Sequence, residues 1–277
     1  MKKILFIFLL ITSSICFAST IQDILNLDKS EIFYRSGNVE FFTFYKNHTL
    51  KIDYNNCIPE LYALNGTYTY NFYEKNHITY LDISNDKIKK TFTVLINEEL
   101  LVLYEKGKSK PFWEGINSKW HERFYYWDEY EWLVHKTLVA SSELKEGDTI
   151  YTVRNLGTLE NGKPWVEGVN GYGCGEFIIN KIRGRTIFIF PGFFDADRPS
   201  LYEKNSRPKK ILIETPNFKK EIILKDSPNP QKIIIDEKKT DEEYVRDEYE
   251  IKITILEVYP GTKYKDTCIN AIMGIIK

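Results

Sequence analysis

The sequence predicts an all-β protein made of two consecutive antiparallel units, and three observations carry that prediction. Apolar and polar residues alternate with a period of two, as where Tyr68, Tyr70 and Phe72 face one way and Thr67, Thr69 and Asn71 the other. The alternating runs are short and are punctuated by Asn, Asp and Gly, which are turn formers. No amphipathic helix of useful length appears, apart from a turn or two around Ile21–Leu27 and Lys119–Tyr126.

Residues 1–18 are expected to be an export signal. Lys2-Lys3 is a positive n-region, Ile4–Ile11 an apolar core and Cys16-Phe17-Ala18 a small-residue cleavage site. The apolar run is shorter than the roughly 20 residues a spanning helix needs. Lipidation at Cys16 is the alternative, but bulky Ile15 stands where a small residue belongs. The mature protein is therefore expected in the periplasm, on the outer surface or secreted, with no membrane span. The full sequence has 38 basic and 39 acidic residues and a net charge of −1, which argues against nucleic acid as a partner. After cleavage three cysteines remain, Cys57, Cys174 and Cys268, so at least one is free.

Residues 19–115 read as the first unit. Val39–Tyr45, Thr49–Tyr54, Gly66–Tyr73, His77–Ile83, Lys90–Ile96 and Leu100–Glu105 are its candidate strands. Loops this short imply an up-and-down meander, which hides its edges by curling into a small lipocalin-like barrel. Residues 116–133 form an aromatic-rich connector. Nine residues between Phe112 and Trp132 are aromatic, too many for a flexible linker, so this stretch is expected to glue the two units together. The other reading of these rings is a sugar platform.

Residues 134–277 form the second unit. Strands are expected at Val134–Ala140, Glu176–Ile182, Arg185–Phe190, Lys209–Glu214, Lys219–Leu224, Gln231–Ile235 and Tyr249–Tyr259, as in a jelly-roll β-sandwich. The acid-rich Asp236–Glu248 reads as an exposed hairpin loop or insertion.

Two stretches stand apart in composition: Lys163-Pro-Trp-Val-Glu-Gly-Val-Asn-Gly-Tyr-Gly-Cys-Gly-Glu-Phe177 and Val258-Tyr-Pro-Gly-Thr-Lys-Tyr-Lys-Asp-Thr-Cys268. Between them lie Leu201-Tyr-Glu-Lys-Asn-Ser-Arg-Pro-Lys-Lys-Ile211 and Leu224-Lys-Asp226. In this order the landmarks resemble the NADase-type glycan-binding domain, a discoidin-like module of bacterial surface and secreted proteins. The resemblance runs from about residue 134 to the end. It implies a discoidin-like sandwich that binds carbohydrate non-covalently through loops at one end. No cofactor and no metal are expected in this chain. The candidate contacts within the landmarks are Trp165, Glu167, Tyr172, Tyr202, Asn205, Arg207, Tyr259, Lys263, Tyr264 and Asp266. Carboxylates, amides and Arg suit a hydroxyl array, and aromatic rings suit the C–H face of a sugar. A bridge between Cys174 and Cys268 is open if the two loops meet; two small buried thiols are the alternative.

One departure stands out. Where the family carries an Asp-Gly-Asp-type loop, this chain has Gly157-Thr-Leu-Glu-Asn-Gly-Lys-Pro164, in which only Glu160 and Asn161 offer carboxylate or amide side-chain oxygens. A calcium ion takes about six to eight oxygens, so that loop is a poor calcium site.

Enzyme motifs fail on inspection. Gly171-Tyr-Gly-Cys-Gly-Glu176 has Glu176 where a dinucleotide fingerprint needs its third glycine, and a strand is expected to follow instead of a helix. His48, His77, His121 and His135 are scattered, and His121-Glu122 lacks the second histidine of a zinc-protease helix. A non-catalytic binder is expected. Two other roles stay open: an envelope protein-interaction or structural module with a protein partner, and a carrier of a small apolar ligand in the N-terminal barrel.

Overall fold

A closed barrel of eight strands forms the N-terminal half of the computed structural model, which describes residues 31–35, 40–54, 63–117, 130–132, 139–160, 162–182, 186–235 and 249–275. Its strands are β1 (Glu31–Arg35), β2 (Glu40–Tyr45), β3 (Thr49–Tyr54), β4 (Gly66–Lys75), β5 (Ile78–Ser84), β6 (Lys89–Ile96), β7 (Leu100–Glu105) and β8 (Trp113–Asn117). Each pairs antiparallel with the next, and β8 returns to β1 by pairing Ile116 with Tyr34 and Asn117 with Phe33. Closure leaves no open sheet edge. The β4–β5 hairpin turns on Asn76 and His77, both at positive φ (51° and 61°), the geometry whose twist matches a two-residue hairpin.

The alternation read from the sequence sets the barrel interior. Tyr68, Tyr70 and Phe72 point in with Phe42, Phe44, Leu81, Ile83, Phe92, Val94, Ile96, Leu101 and Leu103. Rings meet across this interior, Phe42 with Trp113 at 4.4 Å and Phe44 with Tyr70 at 5.1 Å. Trp113, first tryptophan of the aromatic run between Phe112 and Trp132, therefore belongs to the barrel core, on the strand that closes the barrel. The aromatic stretch beyond it, 118–129, lies outside the described residues, as do Cys16, Cys57, His121, His135 and 236–248.

The second half is a sandwich of two antiparallel sheets. Its elements are β9 (Tyr130–Trp132), β10 (Val139–Ala140), β11 (Leu144–Glu146), β12 (Thr149–Tyr151), a 3-10 turn (Val153–Gly157), β13 (Trp165–Val166), β14 (Phe177–Ile182), β15 (Thr186–Pro191), α1 (Leu201–Lys204), β16 (Arg207–Thr215), β17 (Phe218–Ile223), β18 (Gln231–Ile234), β19 (Tyr249–Tyr259) and β20 (Cys268–Ile275). One sheet runs β10-β14-β19-β16-β17; the other runs β13-β20-β15-β18 with β9 on β20, and β11 and β12 form a separate hairpin. Isoleucines fill the space between the sheets: Ile178, Ile211, Ile213, Ile251, Ile253 and Ile255 from the first, and Ile187, Ile189, Ile233, Ile269 and Ile272 from the second. Branched side chains of this kind pack well on pleated surfaces.

Barrel and sandwich share a third apolar cluster. The outward faces of β5, β6 and β7 contribute Ile78, Leu95, Leu100, Val102 and Tyr104. They meet Phe188, Phe190, Ala271 and Met273 on the outer face of the β15–β20 sheet, and Phe194 from the loop after β15. This explains why every residue of β15 is buried: Ile187 and Ile189 face the sandwich core, Phe188 and Phe190 the barrel. The rim is polar. Asn229 accepts from the Ile96 amide at 3.0 Å and donates to Thr79, Ser109 donates to Asp195, and Lys232 pairs with the buried Glu99. Each large side chain so covered contributes about 1.5–3 kcal/mol. The two halves are joined by strand faces among the described residues.

Candidate functional site

Four loops gather at one end of the sandwich: 167–176, 192–206 with α1, 224–230, and 259–267. Short polar contacts knit them. Backbone amides of Thr262, Lys263 and Tyr264 donate to the carbonyls of Glu203 and Lys204, satisfying acceptors that a helix C-terminus leaves open. Ser206 forms a parallel bridge with Thr267, and its hydroxyl accepts from the Gly261 amide. Gly261 lies so close to the carbonyl oxygens of Lys204 and Tyr264 that no Cβ fits there.

The two signature stretches meet through Glu167. Its Oε1 accepts from the Thr267 amide at 3.1 Å and its Oε2 from the Val169 amide at 2.9 Å, while Thr267 Oγ1 donates to the Tyr172 carbonyl at 2.8 Å. Glu167 is fully buried. Burial raises its carboxyl above the ordinary 4.5; the two amides pull it down, and Asp266 and Glu176 add to the rise. Trp165 is buried in the sandwich core and donates its Nε1–H to the Ser142 carbonyl. Beside it, the hydroxyls of Ser141 and Ser142 both donate to Glu176 Oε2.

A second polar knot sits under α1. Arg207 Nε and Nη2 donate to Asp226 Oδ1 and Oδ2 at 2.8 and 2.6 Å, a bidentate fork. Its Nη1 donates to the Asn205 carbonyl at 3.0 Å. Tyr202 donates its hydroxyl to Asp226, Tyr259 donates to the Leu224 carbonyl, and the Arg207 guanidinium lies over both rings. Burial acts against the charge of Arg207, but the hydrogen bonds and charge of Asp226 outweigh it and raise its pKa. Burial, with Asp226 beside it, pushes the Tyr202 hydroxyl well up. His77, at the tip of the barrel's β4–β5 hairpin, rests its Nδ1 3.2 Å from the Asp226 carbonyl.

The ten candidate residues therefore divide. Trp165, Glu167, Tyr202, Asn205 and Arg207 are buried, with their polar atoms engaged by the protein itself. As direct sugar contacts they are corrected: they fasten the loops. Tyr259 is half-buried and tied to Leu224. Tyr172 and Tyr264 are 38% and 36% exposed, Lys263 is exposed and Asp266 half-buried, and these four remain on the surface. The sequence reading did not single out Lys265, whose ammonium lies 5.9 Å from the Tyr172 ring centroid, nor Asp226 as more than a landmark. The Cys174–Cys268 bridge is not formed. Cys174 is an exposed free thiol; Cys268 is buried, and burial pushes its thiol well up. Of the two possible calcium-loop oxygens, Glu160 is exposed and Asn161 lies outside the described residues.

This sandwich and its loop end define a discoidin-like module of the carbohydrate- or protein-binding class. A family model matches residues 129–274, just over half of the chain, and the chain belongs to that family, the NAD glycohydrolase translocation F5/8 type C domain. No curated protein matches it. Among solved structures it is similar to the arabinofuranosyltransferase AftD from mycobacteria, with a TM-score of 0.36 and 13% identity over 51% of this chain and 11% of that one. A mutant form of the same enzyme gives a TM-score of 0.34 and 15% identity over 50% and 11%. The chain thus spans about a tenth of the length of those structures.

Proposed function

We propose that this is an exported, non-catalytic protein that binds carbohydrate at the loop end of its sandwich. The observation that carries the reading is the junction of the two signature loops. Glu167 and Thr267 hold Tyr172 beside the loop bearing Lys263, Tyr264 and Asp266, so exposed aromatic and polar groups share one rigidly backed surface. Such a mixture suits sugar hydroxyls and C–H faces. Membership of the F5/8 type C family supports it. A dinucleotide reading of the glycine-rich loop finds no support, because β14 follows that loop directly and there is no helix N-terminus for a pyrophosphate.

Affinity per site is expected in the micromolar to millimolar range, about −8 to −4 kcal/mol. The test is a broad glycan array probed with the full chain, followed by titration of any sugar bound. Loss of binding in Tyr172→Leu and Tyr264→Leu, with unfolding unchanged, supports the proposal. A folded chain that binds no glycan would remove it. The ring contacts across the barrel interior, Phe42 on Trp113 and Phe44 on Tyr70, favour a filled core over a carrier cavity there.

A further inference from the structure

Each exposed tyrosine of the loop end carries a lysine over its face. Lys263 Nζ lies 4.8 Å from the Tyr264 centroid, and Lys265 Nζ lies 5.9 Å from that of Tyr172. Elsewhere on the sandwich some lysines are neutralised by glutamate, Lys209 and Lys210 by Glu257 and Lys219 by Glu214, while Lys252 lies over the Phe177 ring at 4.2 Å. Among the described residues, neither Lys263 nor Lys265 is paired with a carboxylate. The nearby acids are otherwise engaged or set deeper. Glu167 is buried between two amides, Glu176 takes the Ser141 and Ser142 hydroxyls, and Asp266 is half-buried. Arg207, whose fork would suit an anion best, is closed off by Asp226.

From this we infer that the loop-end site takes acidic carbohydrate, a sugar bearing a carboxylate or sulfate, in preference to neutral sugar; this rests on the carbohydrate reading above. A neutral pyranose stacks on a bare ring face, and here an ammonium already lies over each face. An exposed cation–π contact is weak, so a ligand anion that forms charge-assisted hydrogen bonds with the ammonium outcompetes it. Drawing the lysine aside frees the ring. One acidic substituent then recruits two contacts at once, the ion pair and the uncovered tyrosine. A neutral sugar must displace the lysine with nothing to receive its charge.

The test uses the full chain on an array of matched pairs: sialylated and desialylated glycans, and uronate-bearing oligosaccharides with their carboxyl-reduced forms. Binding is expected to concentrate on the acidic members and to weaken about tenfold on carboxyl reduction. It should weaken further between about 50 and 300 mM NaCl, as exposed charges are screened. The Lys263→Gln, Lys265→Gln double variant should lose about fivefold or more on acidic members, with an unchanged unfolding midpoint because both lysines are exposed. Equal binding of neutral and acidic members overturns the preference while leaving the carbohydrate reading standing. Binding to no glycan at all overturns both. Binding to vesicles of anionic phospholipid without any acidic glycan also overturns the inference, in favour of a lipid surface.

Discussion

Gly173 lies against Glu167 with no room for a side chain: a Cβ there would stand within 2.6 Å of Glu167 Cδ, on a backbone with φ of +64°. Gly171 and Gly175 share positive φ but have open space around them. Gly173→Ala should therefore combine left-handed strain of about 1–2 kcal/mol with overpacking of about 1–3 kcal/mol. Gly171→Ala should show only the first. Urea unfolding of the two variants checks this, and equal losses would mean that the glycine-rich loop does not depend on its contact with Glu167.

Glu167 itself makes a pH-dependent contribution with a definite sign. Its folded-state pKa is raised by burial, against the opposing pull of the two amides. Between the ordinary value near 4.5 and the raised value the folded state holds more proton than the unfolded state, so stability falls as pH rises through that window. Glu167→Gln cannot titrate and also turns a donor toward the Val169 amide, at a cost of about 1–3 kcal/mol. The gap between parent and variant should be widest below pH 4.5 and shrink toward neutrality. A gap that grows with pH would contradict the assignment.

Much of this arrangement was legible in the sequence, and the failures have physical causes. Strands such as β4 were readable because one face is buried and the other wet, which writes a period of two. Strands β5, β6 and β7 were readable from their length and the turn formers between them, although part of their outer face is covered by the sandwich. Strand β20, Cys-Ile-Asn-Ala-Ile-Met-Gly-Ile, was not; it lies between the sandwich core and the barrel with both faces covered, so no period of two marks it, as none marks β15, which was read as an apolar run. Trp113 was counted in the aromatic run read as glue, and its ring instead packs on Phe42 inside the barrel. The meeting of the two signature loops was legible from composition and order. The direction of their polar side chains was not, since a carboxylate or guanidinium suited to a sugar suits a loop amide or Asp226 equally well.

The Arg207–Asp226 fork should behave as a buried pair, with side chains 7% and 25% exposed. Asp226→Asn leaves a buried guanidinium without its counter-charge, at a cost of about 3–5 kcal/mol. Calorimetry should show the midpoint falling by several degrees. Arg207→Lys should also be destabilising, since an ammonium cannot make the fork. A loss under 1 kcal/mol in both would mean that the knot is replaceable by water.

Free thiols are expected at two very different rates. Cys174 is exposed and should alkylate within minutes in the native protein, whereas Cys268, buried and with its thiol held protonated by that burial, should react only on unfolding. Mass mapping of alkylated peptides separates the two. Recovery of a Cys174–Cys268 peptide pair under non-reducing conditions would show that the oxidised chain closes the bridge.

The interface between barrel and sandwich makes the last prediction. Phe188 points from β15 into the cluster shared with Leu95, Leu100, Val102 and Tyr104, away from the isoleucine core of the sandwich. Phe188→Ala removes contact area from the junction alone, at about 3–5 kcal/mol, and leaves both cores intact. Ile189→Ala, one residue on, damages the sandwich core instead. The first variant should split thermal unfolding into two transitions, one for each half. The second should lower the transition that contains the sandwich while the junction still couples the halves. Calorimetry of the pair tells the cases apart. A single, equally lowered transition in both variants would mean that barrel and sandwich unfold as one unit whatever joins them.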